Sequence, residues 1–358
     1  MHYTFYPQGV CSRKIELDIE NGRVHNIHYL GGCNGNLKAI SKLVDGMTVE
    51  KIEKVLAGNT CGPRATSCAD QEHLLFRSAC PQPEAGTCRG QVSHTQRKIY
   101  SVYFSPTGSS RLAARSVAYA LKRELNADIE DIDLTPPAAR GAQYRFTDAD
   151  TVVMAMPVYA GRLPNKIAPD IARCLHGGGS TKLIALCTYG KRSAGDAERE
   201  LLLIASQNGF VPIAARSIVC EHAFSAKIAH GRPNAADLAQ LASFGADIAW
   251  RIASDTVSPL PFDADTPLAP YYTPLKENGT SAHFLKAKPV TDASRCTRCG
   301  ICASVCPMGS ISADEPDSTA GICIKCQACI KACPARARHF WDGDFLSHVK
   351  MLENTLGD

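Results

Sequence analysis

Two cysteine runs near the C-terminus constrain this chain more than any other feature. Cys296, Cys299, Cys302 and Cys306 precede Pro307; Cys323, Cys326, Cys329 and Cys333 precede Pro334. Both read C-x2-C-x2-C-x3-C-P. Two residues between thiolates let one short loop wrap three corners of an iron–sulfur cube, and this is the spacing of 4Fe–4S ligation. Each proline fixes φ and lacks an N–H donor, so it stops the ligand helix from running on. Ile301, Val305, Ile311, Ile322, Ile324 and Ile330 are placed to pack around the cubes and limit water. CxxC pairs also serve zinc, but zinc takes cysteines in tetrahedral sets and does not demand a duplicated third step followed by Cys-Pro.

The paired runs resemble those of bacterial two-cluster ferredoxins. In that family the fourth thiolate of each run ligates the other cluster. The resemblance implies Cys296, Cys299, Cys302 and Cys333 on one 4Fe–4S cluster, and Cys323, Cys326, Cys329 and Cys306 on the second. Arg295, Arg298, Lys325, Lys331, Arg336 and Arg338 crowd these ligands in sequence. Reduction adds negative charge to an already anionic cluster, so nearby positive charge is expected to favour the reduced form and raise the potential.

The rest of the chain must therefore be read as something that handles electrons. Its 358 residues suffice for two or three domains, and a 45% hydrophobic composition suffices for real cores. The formal charge of +4 comes without a block of like charge, so neither nucleic acid nor a membrane surface is expected as a partner. No run of 18 apolar residues predicts a membrane span, and the first residues lack the apolar core of a secretory signal. Seventeen cysteines in such a chain predict a reducing, cytoplasmic setting. The oxygen sensitivity of exposed clusters adds the expectation of an anaerobic host.

Between residues 98 and 255 strand and helix signals alternate. Strands are predicted at 98–104, 128–134, 151–156, 182–188 and 210–219, and helices at 109–125 and 235–253. Such alternation means a parallel sheet covered on both faces, with ligands beyond the C-terminal strand ends. The first strand end carries Ser105-Pro106-Thr107-Gly108-Ser109-Ser110-Arg111, four hydroxyls and a glycine at a helix start. Amides at a helix N-terminus favour phosphate, and hydroxyls add donors without charge. The stretch Gly177-Gly178-Gly179-Ser180-Thr181-Lys182 superficially resembles a Walker loop, but it precedes a strand and reads as a helix-to-strand loop.

Ser105–Ser110 resembles the FMN phosphate loop of flavodoxins. The stretches Met156-Pro157-Val158-Tyr159-Ala160-Gly161-Arg162-Leu163-Pro164 and Cys187-Thr188-Tyr189-Gly190-Lys191-Arg192 resemble the second and third flavin loops of that superfamily. The resemblance implies FMN contacts from Ser105, Thr107, Gly108, Ser109, Ser110, Pro157, Val158, Tyr159, Gly161, Arg162, Tyr189, Gly190 and Arg192, with the two tyrosines near the ring. A flavodoxin-like domain, a linker and a two-cluster region in this order are similar to a family of flavodoxin–ferredoxin fusion proteins over about residues 97–345. Members carry an E-H-S-like and a G-R-P stretch, here Glu221-His222-Ala223 and Gly231-Arg232-Pro233. That likeness places Glu221 and His222 at the flavin edge, where they are the candidates for catalytic proton supply. Where members often have an aromatic residue or Asp, this chain has Ala194-Gly195. Cys174, Cys187 and Cys220 read as packing thiols.

Residues 1–80 hold Cys11, Cys33, Cys61 and Cys68, and Cys80 where the linker begins. Strand-like runs at 14–19 and 23–29 flank Glu20-Asn21-Gly22, and Asn-Gly is a strong hairpin signal. Helices are expected at 37–44 and 49–56. Residues 60–71 resemble the signature of TSCPD domains, with Ala69 in place of its proline. Four thiolates suit a structural zinc, which a small domain can use as a staple. Unliganded thiols, and a redox pair of Cys61 with Cys68, are the alternatives.

The predicted fold class is thus an α/β flavodoxin-like doubly wound parallel sheet, plus a small α+β N-terminal domain and a C-terminal two-cluster ferredoxin-like domain. The expected boundaries are 1–80, a linker at 81–96, 97–258, a linker at 259–286, 287–342 and a tail at 343–358. Three functions are compatible: an electron relay between two 4Fe–4S clusters and FMN serving a redox protein partner; a flavin-dependent reductase of a small-molecule acceptor with the clusters as inlet; and a metal-dependent docking module that delivers electrons to a partner enzyme.

Overall fold

A computed structural model describes residues 2–5, 10, 12–20, 23–56, 59, 67–69 and 97–357. The chain forms two compact units, Met1–Val92 and Ser93–Asp358. The flavin-type sheet and the cysteine runs therefore belong to one unit.

In the first unit, β1 (His2–Phe5), β2 (Ser12–Glu20) and β3 (Arg23–Gly31) form an antiparallel sheet in the order β1-β2-β3. β2 and β3 pair as the predicted hairpin, with Glu20 opposite Arg23, though Asn21 and Gly22 themselves lie outside the described residues. Alternation in β2 sends Ile15 and Leu17 to one face. There they meet Val24 and Ile27 of β3, Val44 of α1 (Asn34–Val44) and Ile52 of α2 (Val49–Leu56). β1 is a strand that the sequence reading did not anticipate.

The second unit is built on a five-stranded, wholly parallel sheet. Its strands are β4 (Lys98–Tyr103), β5 (Asp128–Asp133), β7 (Thr151–Pro157), β9 (Thr181–Tyr189) and β10 (Phe210–Val219). They lie in the order β5-β4-β7-β9-β10, the flavodoxin-like order, whose switch point falls between the first and third strands in chain sequence, β4 and β7. Two short strands, β6 (Tyr144–Arg145) and β8 (Leu175–His176), pair beside it. Gly177–Ser180 connects β8 to β9: it precedes a strand as expected, but it follows the two-residue strand β8 and not a helix, because the chain pairs with β6 after α4 ends.

The buried strands point alternate residues to two cores, as a doubly covered sheet requires. Val153, Ala155 and Ile184 face α3 (Ser109–Leu125) and α6 (Ala235–Ala253). Val152, Met154 and Leu183 face α4 (Ala168–Cys174) and α5 (Ala197–Gln207). Cys174, Cys187 and Cys220 are buried in these cores, as packing thiols should be. α6 begins with a capping box, Asn234 accepting from Ala236 and Asp237 amides while Asp237 accepts from the Asn234 amide.

Residues 259–286 contain no helix or strand and run back over the strand ends. The cysteine region is stitched by a short pair, β11 (Val290–Thr291) with β12 (Arg338–His339), and holds two one-turn helices, α7 (Ile301–Ser304) and α8 (Ala328–Lys331). The expected tail at 343–358 is instead largely helical, α9 (Gly343–Leu356). Asp342 caps it by accepting from the Phe345 amide, and Phe345, His348 and Leu352 bury one face at helical spacing.

Gly245 marks the closest approach of α6 to α3. A Cβ there would stand 2.8 Å from the Val117 carbonyl oxygen and 2.9 Å from Ala120 Cβ. Helix propensity favours alanine by about 1 kcal/mol, but overpacking against a backbone carbonyl costs about 1–3. The overpacking outweighs the propensity gain, so Gly245→Ala is expected to destabilise by up to about 2 kcal/mol. Anaerobic thermal unfolding checks this, and an unchanged or raised midpoint would contradict the packing.

Candidate functional site

The main cavity lies at the C-terminal ends of β4, β7, β9 and β10 and encloses about 260 Å³. Its first wall is Ser105, Thr107, Ser109 and Ser110, at the start of α3, where the first amides have no intrahelical partner. Two hydroxyls are held in place: Ser105 Oγ accepts from the Arg111 amide at 3.0 Å, and Ser110 Oγ shares a 2.8 Å bond with Thr188 Oγ1. Gly108 caps α3 in the left-handed region at φ 94° and does not itself line the cavity. The second wall is Pro157, Val158 and Tyr159, and the third is Tyr189, Gly190 and Arg192.

Gly161 and Arg162, expected beside the flavin, are turned to another task. Arg162 grips Glu200 through two bonds of 2.8 and 2.9 Å and donates to the Ala269 carbonyl, while Gly161 accepts from the Asp196 amide. They fasten the loop to α5 and to residues 259–286 and are absent from the cavity wall. The sequence missed the roof. Tyr272, Pro274 and Phe284 of the linker and His348 and Leu352 of α9 close the cavity, with the Arg192 guanidinium stacked 3.7 Å from the Tyr272 ring centroid.

Glu221 and His222 do line the cavity, in charge states that follow from their neighbours. Burial alone would raise the Glu221 carboxyl, but the Lys331 ammonium at 3.0 Å and the Gly231 amide at 3.2 Å outweigh it and hold it below its ordinary value. His222 accepts from the Phe224 amide at Nδ1, 3.1 Å away, so its proton sits on Nε2. Burial, then His348, Lys331 and Arg192, press its pKa from 6.5 down to about 4. His222 lies so close over Gly190 that a Cβ there would be 2.3 Å from its Cδ2. His348 donates from Nδ1 to the Leu275 carbonyl at 2.8 Å, leaving Nε2 as an acceptor.

The fourth side of this cavity comes from the second cysteine run: Ile324, Lys325 and Cys326. Burial holds the Tyr159 phenol well above its ordinary range, and the neighbouring Cys326 and Cys323 thiols add to the effect. Two smaller cavities lie beyond. Cys296, Cys299, Cys302 and Cys333 line one; Cys306, Cys323, Cys326 and Cys329 line the other. Each gathers three cysteines of one run with the last of the other, and Cys326 borders both its own cavity and the main one. Backbone amides donate to the sulfurs at equivalent places, Ser310 to Cys306 at 3.4 Å and Ala337 to Cys333 at 3.3 Å. Four sulfurs around an apolar hollow, with amides turned toward them, fit an iron–sulfur cube in each.

Residues 289–312 and 320–336 each match a 4Fe–4S binding domain, and residues 1–77 match the TSCPD domain. In sequence order the chain thus carries a TSCPD domain, a parallel sheet with the flavodoxin-like strand order, and two 4Fe–4S binding domains. Solved structures similar to this chain include a flavodoxin from the domain Archaea, at 15% identity over 44% of this chain and 99% of that one, TM-score 0.30. Megasphaera elsdenii flavodoxin is 19% identical over 42% of this chain and 98% of its own, TM-score 0.28. A flavodoxin of Streptococcus pneumonia TIGR4 is 19% identical over 43% and 98%, TM-score 0.31. No curated protein matches the chain.

Of the four N-terminal cysteines, Cys11 and Cys61 lie outside the described residues. Cys33 is exposed just before α1, and the Cys68 sulfur lies 3.6 Å from where a Gly32 Cβ would stand. Among the described residues no three His, Cys, Asp or Glu side chains lie close enough together to hold a single metal ion, and the two C-terminal cysteine sets stand around cluster-sized hollows instead. Nor is any described helix long and apolar enough to cross a membrane.

A depressed imidazole pKa means that the unfolded chain takes up the proton first. The stability that His222 contributes is present above about pH 6.5 and is lost as pH falls toward 4. Between pH 7 and about 5.5 this amounts to about 1 kcal/mol. His222→Asn keeps an acceptor for the Phe224 amide but cannot titrate. Its thermal midpoint is expected to fall less than the unsubstituted protein's over that interval, and parallel curves would contradict the assignment.

Proposed function

We propose that this chain is an electron-transfer iron–sulfur flavoprotein that relays electrons between two 4Fe–4S clusters and FMN for a redox partner. One observation carries the reading. A single cavity is walled on three sides by flavin-type loops and on the fourth by Cys326 and its neighbours. FMN exchanges electrons singly or in pairs, whereas each cluster carries one, so together they supply conversion between one- and two-electron chemistry.

The chain's own residues make that pairing workable. Ser105, Thr107, Ser109, Ser110 and the first turn of α3 are the phosphate holders, and Tyr159 and Tyr189 offer aromatic faces for the ring. Cys296, Cys299, Cys302 and Cys333 are the ligands of one cluster; Cys323, Cys326, Cys329 and Cys306 are those of the other. The second set lies against the flavin cavity, so the first is the outer one, with Cys299 exposed. The linker and α9 roof the cavity and keep bulk water from it.

The reductase alternative needs an acid beside the ring. Glu221 is ionised and paired with Lys331, and His222 is neutral with only Nε2–H to give. That pair supports a fixed polar environment better than proton delivery. A zinc on Cys11, Cys33, Cys61 and Cys68 rests only on the thiol count and on Cys68 lying near Gly32, beside Cys33 in sequence.

Anaerobically purified protein is expected to carry about eight irons with matching sulfide, together with FMN in equal amount to chain. After partial reduction, electrons should redistribute between iron–sulfur and flavin absorbance at a rate independent of protein concentration. A rate proportional to concentration would mean that the two centres do not communicate within one molecule. Absence of iron would remove the reading altogether.

A further inference from the structure

The two cysteine runs fold as near-copies. Arg298 and Lys325, Gly300 and Gln327, and Gly309 and Arg336 all take positive φ at corresponding positions. α7 and α8 follow the same steps, and the amides of Ser310 and Ala337 donate to the corresponding sulfurs. One residue beyond those amides the copies part. The first run places Ile311 there, 6% exposed and lining the cavity of Cys306, Cys323, Cys326 and Cys329. The second places Arg338, 3% exposed and lining the cavity of Cys296, Cys299, Cys302 and Cys333.

Arg338 differs from the other basic residues of this region. Arg298 pairs with Asp317 and Lys331 with Glu221; Arg295 and Arg336 are exposed. Lys325 bonds to the carbonyls of Leu285 and Cys323. Arg338 is deeply buried, yet among the described residues no carboxylate pairs with it. Its terminal nitrogens donate to the Pro316 carbonyl at 2.8 Å, to Thr291 Oγ1 at 3.1 Å and to Thr319 Oγ1, all neutral acceptors. Its buried Nε has no hydrogen-bond partner. It also neighbours Cys329, a sulfur of the other cavity. A guanidinium keeps its charge, and burying one without an anion is strongly unfavourable. The thiolates of Cys296, Cys299, Cys302 and Cys333, whose cavity it lines, and of Cys329 are the anions beside it.

We propose that Arg338 is the shared counter-ion of the two clusters and raises both reduction potentials, by unequal amounts. This rests on the cluster assignment made above. Arg338 lines one cluster cavity and not the other, where Cys329 is its neighbour, so its field is unequal at the two. Each reduction adds a negative charge near a fixed positive one, which favours the reduced form.

The test compares the unsubstituted holoprotein with Arg338→Gln and Arg338→Lys, first by iron and sulfide content and then by anaerobic redox titration followed by electron paramagnetic resonance. If the unsubstituted protein holds no iron, the cluster assignment fails and the counter-ion with it. With clusters present, Arg338→Gln is expected to lower both potentials unequally, and Arg338→Lys to restore a large part of each fall. Unmoved potentials in a fully loaded Arg338→Gln protein would overturn the proposal. A fall confined to one centre would overturn the sharing. If Arg338→Gln fails to assemble clusters, Arg338→Lys decides: loaded clusters with near-original potentials support a charge role, and the same failure to assemble overturns it in favour of the bonds to Pro316, Thr291 and Thr319.

Discussion

Everything proposed for this chain depends on the cysteine region being held against the strand ends of the sheet, and one buried guanidinium does much of that holding. Arg140, 4% exposed, follows β5 in the 3-10 turn Pro137–Gly141. It pairs with Asp170 of α4 at 3.0 Å and donates to the Leu134 and Thr135 carbonyls at the end of β5. Its remaining nitrogen donates to the carbonyl of Pro307, the proline of the first cysteine run. Removing one partner from such a buried pair costs about 3–5 kcal/mol, because the other charge is left stranded. The charge requirement of Asp170 thus becomes a positional requirement on the Cys-Pro loop. Met308 and Ile324, packed on the core beneath, and the Lys331–Glu221 pair extend the same seam toward the second run.

The sequence reading found the five strands of the sheet and two of its covering helices but not α4, α5 or α9, and it was incomplete for the site. The strands at 98–104, 151–156, 182–188 and 210–219 are buried on both faces, so their apolar runs announce them. Hydroxyls clustered at one strand end mark the cavity wall at the start of α3. The cavity roof left no such trace. Tyr272, Pro274 and Phe284 sit in a stretch without period, and their contribution depends on where the chain is carried back across the strand ends. His348 and Leu352 form an ordinary amphipathic spacing whose burial partner is known only once the cysteine region docks. Gly161 and Arg162 failed the other way. Their loop resembles a flavin loop, but Glu200 offers Arg162 a bidentate carboxylate from α5, and that local pairing wins the side chain.

The charges around the main cavity follow a common rule: each ionised group is matched by a specific partner, and the unmatched ones are neutral. Glu221 stays ionised because Lys331 and Gly231 answer it. His222 and His348 have cationic neighbours and partial burial, and both are pushed toward the neutral form. Such a site changes little around a guest whose own charge changes by one electron at a time. Fixed hydrogen-bond donors and acceptors do not have to reorganise, which suits electron passage better than a site whose groups must exchange protons to stay satisfied.

The two buried arginines of this unit turn that rule into an argument about what is bound. Arg140 is explained by the protein itself: a carboxylate and three carbonyls leave none of its nitrogens unanswered. Arg338 is buried to the same degree, but its acceptors are neutral and one nitrogen is unanswered. Its counterpart in the first run, Ile311, shows that the loop closes without a cation at this position. A buried charge that the equivalent position of the first run does without, placed beside one set of thiolates and Cys329 of the other, fits the proposed response to negative charge that arrives with the clusters. The asymmetry is visible in the sequence as Ile against Arg in two otherwise parallel runs, but its meaning depends on burial and on the missing carboxylate, which only the packed structure supplies.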